Sequence, residues 1–192
     1  MPKTIRSPFY PLLSLLLIVF LGGCVSLPAN IRPVDGFEID RYLGRWYEIA
    51  RLDHSFERGL SHVTADYSLR DDGGVKVINR GYDNTRGLWQ EAEGRAYFVD
   101  KQDQGFLKVS FFGPFFGAYA VCDLDRQSYS YALVCGPNTS YLWLLARSPE
   151  LDGDTVRLLV ERAKALGYET SSLIFVEHHS PVQENASATG KP

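Results

Sequence analysis

The sequence predicts an all-β fold, an eight-stranded antiparallel up-and-down barrel with one C-terminal α-helix packed outside. Three observations carry that prediction. From Gly44 to Arg147 apolar residues recur at alternate positions in short runs, which is the side-chain period of a half-buried strand. Short turn-forming clusters rich in Asp and Gly separate the runs, and connections that short join neighbours antiparallel. Past Pro149 the apolar spacing lengthens to that of a helix with one buried face.

Arg45 to Leu52 is the first strand. In the second, Val63, Ala65, Tyr67 and Leu69 alternate with Thr64, Asp66, Ser68 and Arg70, and Asp71-Asp72-Gly73-Gly74 turns the chain. Val75 to Tyr82 runs into Asp83-Asn84-Thr85-Arg86-Gly87, and Trp89 to Val99 into Lys101-Gln102-Asp103-Gln104-Gly105. Leu107 to Phe112, Ala118 to Leu124, Tyr131 to Cys135 and Tyr141 to Arg147 complete the eight. Closing such a meander removes the unpaired edges an open sheet would expose, and eight strands enclose room for one small ligand. A sandwich of two sheets is the alternative arrangement. Val156, Leu159, Val160, Ala163 and Leu166 define the helix, with Asp154 as N-cap and Gly167 as its stop. Leu173-Ile174-Phe175-Val176 reads as a short extra strand.

The two ends differ from the middle. Lys3 and Arg6 precede an apolar stretch from Phe9 to Leu21, shorter than the roughly 20 residues of a bilayer span and suited to a signal-peptide core. It ends in Leu21-Gly22-Gly23-Cys24, which resembles the bacterial lipobox, where the thiol takes a diacylglyceryl group and becomes the new N-terminus. The expected organisation is a lipoprotein signal peptide (1–23), a tether after the acylated Cys24 (24–33), a barrel domain (34–180) and a disordered tail (181–192). The membrane is thus an expected partner, reached through N-terminal acyl groups that anchor firmly when two or more are present. Val25, standing where enterobacterial sorting uses Asp, favours the outer membrane and its periplasmic face.

Composition excludes several functions. A net charge of −3 without a basic stripe gives no case for nucleic acid. There is no G-x-S-x-G elbow, no H-E-x-x-H and no C-x-x-C, so no catalytic residues, no metal and no cofactor are expected, and the chain reads as a binding protein rather than an enzyme. His54 and His62 fall in an expected mouth loop and His178-His179 near the tail, where histidines are mostly solvated.

Gly44-Arg45-Trp46-Tyr47, after a short helical lead-in at Ile39 to Leu43, resembles the first lipocalin signature, G-x-W. Leu144-Leu145-Ala146-Arg147-Ser148-Pro149 resembles the third, an Arg ending the last barrel strand. Of the second, T-D-Y, only Asp125 survives in Leu124-Asp125-Arg126. Together with the lipobox, the runs Trp46 to Arg51, Phe56 to Leu60, Val109 to Phe115 and Ala132 to Pro137 are similar to the outer-membrane bacterial lipocalins, the Blc group, over Val34 to Val176. The resemblance implies a lipocalin calyx whose closed end is sealed by Gly44, Trp46 and Arg147. A planar guanidinium stacks on indole while donating to nearby carbonyls.

With Arg147 facing inward, Leu145, Trp143 and Tyr141 share its face. The lipocalin pattern places Ala65, Tyr67, Val77, Asn79, Val109, Phe111, Tyr119, Val121, Ala132 and Val134 inward as well. These are the expected ligand-binding residues, and small ones among them and at Gly81 argue for a cavity rather than a filled barrel. The loop Phe112 to Gly117 and the connection Asp53 to His62 would rim the mouth, gating entry or touching a membrane or partner. Glu48 would sit near Trp46 and Arg147 as an ion-pair partner. Cys122 and Cys135 point outward on adjacent strands, as a disulfide or as two reduced thiols. The implied ligand is a fatty acid or lysophospholipid, and a homodimer is possible. Two other classes remain: a ligandless envelope protein, and an enzyme using Glu48 or Tyr67 in the calyx.

Overall fold

The computed structural model describes residues 25–178. The expected signal peptide, the acylated Cys24, His179 and the tail lie outside the described residues. Within them the chain forms β1 (Gly44–Arg51), β2 (Leu60–Leu69), β3 (Val75–Asp83), β4 (Leu88–Phe98), β5 (Phe106–Ser110), β6 (Gly117–Leu124), β7 (Tyr131–Cys135) and β8 (Leu142–Ala146). A short helix α1 (Ile39–Tyr42) precedes them, and α2 (Gly153–Ala165) and β9 (Ile174–Phe175) follow. From β1 to β8 each strand pairs antiparallel with the next, and β8 pairs back with β1, so the sheet is a closed barrel.

Strand β1 is shared in two halves. Gly44 to Tyr47 pair with β2, while Tyr47 to Arg51 pair with β8. Where β1 and β2 part, β9 takes the vacated edge through Ala50 and Arg51. A bulge between Glu48 and Ala50 leaves Ile49 without a ladder partner, and this resets the alternation. Trp46 and Glu48 face inward, Ile49 and Ala50 both join the outer apolar cluster, and Arg51, opposite Trp143, faces inward again.

The barrel therefore has two apolar layers. The inner one fills the closed end with Phe37, Tyr42, Trp46, Leu124 and Tyr129. The outer one lies under α2, where Leu159 and Ala163 are buried against Ala50, Leu133, Leu144 and Ala146. Helix α2 begins two residues earlier than predicted. Asp152, not Asp154, is the N-cap and accepts from the Thr155 amide at 2.9 Å, while Asp154 lies in the first turn and pairs with Arg157. Both are good caps by type, and the extended backbone at Asp152 decides. Gly167, at φ +84°, ends the helix. The amide of Tyr168 reaches back to Ala163 O and that of Gly167 to Lys164 O, a Schellman closure that needs a left-handed residue there.

One further expectation changes, and one open alternative is decided. The segment read as a tether is docked from Leu27 onward: Ile31 is buried in the outer layer, and the Asn30 amide donates to Leu166 O at 2.7 Å. Cys122 and Cys135 are joined on the outer face, with Cα atoms 6.3 Å apart, inside the range a disulfide requires. A second bulge at Cys122 sends both Cys122 and Asp123 outward, and Asp123 meets Arg162 of α2.

Candidate ligand cavity

The closed end is built from the signature residues. The Arg147 guanidinium lies 3.9 Å from the centroid of the Trp46 ring. It donates to the carbonyls of Arg45 at 2.8 Å, Arg41 at 2.7 Å and Tyr129 at 3.3 Å. Trp46 Nε1 donates to Tyr42 O at 2.8 Å, tying α1 to the floor. Gly44 adopts φ +88° beside this guanidinium, a conformation that favours glycine. Asp125 holds the adjacent turn, accepting from the amides of Gln127, Ser128 and Ser130 and from the Ser130 hydroxyl. Those bonds hold its carboxyl below the usual range.

Above the floor lies a cavity of about 260 Å³. Of the expected ligand-binding residues, Ala65, Tyr67, Val77 and Asn79 line it from β2 and β3. Val109, Phe111 and Tyr119 line it from β5, its following loop and β6, and Tyr141 and Trp143 from the β8 side. Val121, Ala132 and Val134 do not. They face inward, but they are packed solid in the closed end with Trp46 and Leu124. Alternation fixes which face a residue takes, not how deep it lies, and these three sit below the cavity. A second compartment of about 380 Å³ continues past Gly81 and Asn79 towards Phe112 and Phe115.

The deepest polar feature is a tyrosine cluster. Tyr119 Oη lies 2.7 Å from Tyr42 Oη and 2.9 Å from Tyr67 Oη. Burial raises all three hydroxyls above the usual tyrosine range, so they remain neutral hydrogen-bonding groups.

Towards the mouth the wall carries charge that the alternation did not reveal. Glu48 does not meet Arg147. It pairs with Arg51, whose Nη1 donates to Glu48 Oε1 at 2.6 Å. The bulge at Ile49 brings the two onto the same face. Arg51 Nη2 donates to Glu57 O at 2.8 Å and Leu60 O at 3.3 Å, pinning the loop between β1 and β2. Glu57, on that loop, accepts from Trp143 Nε1 at 3.0 Å, and both carboxylates line the cavity. Burial, then the neighbouring Glu57 charge, pushes Glu48 up to about 8 against the pull of Arg51. Burial likewise raises Glu57. Arg51 bonds one of the two carboxyls and acts on the other only through its charge, so the pair keeps a proton that isolated carboxylates would release.

His54 is not solvated. Its ring stacks between Phe56 and Tyr141, with centroids 5.2 and 4.7 Å away. Burial, and secondarily Arg51, lowers it to about 4, so it is neutral. His178 is also packed, with Nε2 2.9 Å from Glu48 O and its ring edge-on to Tyr47. At the rim, Phe56, Phe112 and Phe115 are 55%, 78% and 79% exposed. Glu57 had no sequence signal, since it lies outside any periodic run.

A lipocalin-like domain matches residues 37–178. The outer membrane lipoprotein Blc of Vibrio cholerae is 56% identical over 159 residues, covering 83% of this chain and 93% of that protein. The protein of the same name from Escherichia coli K12 is 52% identical over 150 residues, covering 78% and 84%. Among solved structures, insecticyanin from the tobacco hornworm Manduca sexta superposes with a TM-score of 0.63 at 22% identity, covering 80% of this chain and 87% of that one, a likeness of fold. By its signature residues, its closed barrel and these matches, the chain belongs to the lipocalin-like family.

Proposed function

We propose that this protein is a lipid-anchored lipocalin of the outer membrane, facing the periplasm, that holds a fatty acid or lysophospholipid in its barrel. The observation that carries the reading is the cavity over the Trp46–Arg147 floor, walled by Val77, Val109 and Leu145 and open towards a phenylalanine rim. Such a space favours an acyl chain, since each buried CH₂ contributes roughly 0.8 kcal/mol before ordering costs. The names of the two bacterial relatives support the location, and the Leu21-Gly22-Gly23-Cys24 sequence supports attachment at Cys24. A barrel plugged by its own side chains, the ligandless alternative, does not fit an interior with this much space.

The test uses Trp143, which lies in the wall. Titrating delipidated protein with a fatty acid or lysophospholipid is expected to change tryptophan emission saturably, and mass spectrometry of protein from its own membrane is expected to find lipid bound. Unchanged emission together with no co-purified lipid removes the carrier reading. The same spectrum reports acylation of Cys24 and whether the protein dimerises.

A further inference from the structure

We propose that Glu48 and Glu57 form a subsite in the cavity wall for the ammonium group of an amine-bearing lipid. The proposal rests on the lipid-binding reading and names the head group that this wall recognises.

Charge and geometry carry it. Glu48 and Glu57 are 3% and 6% exposed, and both line the cavity. Glu48 Oε1 is occupied by Arg51 and Glu57 Oε2 by Trp143, while the second oxygen of each accepts no hydrogen bond from the described residues. Arg51, the one cation of the cluster, is spent on Glu48 Oε1 and on the carbonyls of Glu57 and Leu60, and it does not line the cavity. The surface presented to a ligand is therefore two carboxyls with free acceptors in a poorly solvated wall. A buried carboxylate without a matching cation is costly, and an alkylammonium supplies both the charge and the N–H donors. The subsite lies on the mouth side of the tyrosine floor, so a chain reaching down to Val77 and Leu107 leaves its head at this level. A free carboxylate there meets like charge.

Without ligand, burial keeps a proton on the pair. The incoming ammonium keeps its own protons, and the carboxyl proton leaves to water, so binding tightens as pH rises. The groups around the pair are Arg51 and His54, Tyr67 of β2, and His178, which contacts the Glu48 carbonyl from the segment after β9. His54 is neutral over this range.

Dodecylammonium, dodecanol and dodecanoate share one tail and differ only in head group. Titrated calorimetrically into the purified, delipidated protein at about pH 8.5, the ammonium is expected to bind roughly tenfold tighter than the alcohol, a preference that fades near about pH 6. Heats in two buffers of different ionisation enthalpy are expected to reveal proton release with the ammonium and none with the alcohol. Glu57→Gln and Glu48→Gln are each expected to abolish the preference, read as the ratio of ammonium to alcohol affinity in the same variant. If the three probes bind the wild type alike and no proton is released, the subsite is wrong and the carrier reading stands. If none binds, both fall. The wild-type comparison decides even should one variant fail to fold.

Discussion

The two ends of this barrel are built on opposite rules. At the closed end each polar group has a partner: Arg147 serves three carbonyls and an indole face, Trp46 Nε1 finds Tyr42 O, and Asp125 collects four donors. At the mouth, Arg51 Nε and His54 Nε2 are buried without partners among the described residues, two carboxyls feel one guanidinium, and phenylalanines face water. The contrast teaches where stability and recognition are separated. Satisfied buried groups rigidify a structure, and unsatisfied ones are tolerated where a ligand completes them.

If that division holds, substitutions rank by end. Trp46→Ala removes a fully buried indole and the stacking surface of Arg147, and it is expected to cost roughly 4 kcal/mol in chemical denaturation. A loss below about 1 kcal/mol would mean that the floor is not the keystone. Opening the Cys122–Cys135 bridge, 13 residues apart in sequence, is expected to cost about 3 kcal/mol, read as a shift in midpoint on adding reductant. An unshifted midpoint would contradict it.

The mouth should reveal itself through pH. The unfolded chain releases the Glu48 proton near 4.5, whereas the folded chain keeps it to about 8. Between those values the folded state binds more protons, so this group's contribution to stability is full at low pH and lost as pH rises. His54 works the other way: its proton is taken up by the unfolded chain near 6.5 but by the folded chain only near 4, so stability rises with pH across that window. The two slopes oppose each other below 6.5, and the fall is clean from there to about 8. Glu48→Gln is expected to flatten that upper decline. A wild-type curve already flat there would sink the assignment. Smallest of all, Phe112→Ser and Phe115→Ser are expected to change stability by no more than about 0.5 kcal/mol, because both rings are exposed. A larger loss in thermal or denaturant midpoint would mean that the rim is structural.

Much of the fold was legible. Alternation placed all eight strands because each has one face in a core and one outside, and the signature residues placed the floor. Depth was not legible: Val121 and Val134 alternate as Val77 and Val109 do, yet only the latter reach the cavity. Bulges were not legible either. A strict period of two from Trp46 would send Arg51 outward, and only the interruption at Ile49 turns it in to Glu48. The fate of His54 depends on Phe56, in the same loop, and on Tyr141, which precedes β8 and is far off in sequence, so no local pattern reveals it.

The divided first strand has a consequence for how the molecule is made. Its seam is finished by late residues: Arg147 donates to the Arg45 carbonyl, and Ile174 and Phe175 fill the edge that β2 has left. A chain emerging N-terminus first can assemble its hairpins in order, yet it holds an unfastened cylinder until β8 arrives to pair with β1. Closure is thus deferred until β8 has been made, and β9 then covers what is left of the β1 edge.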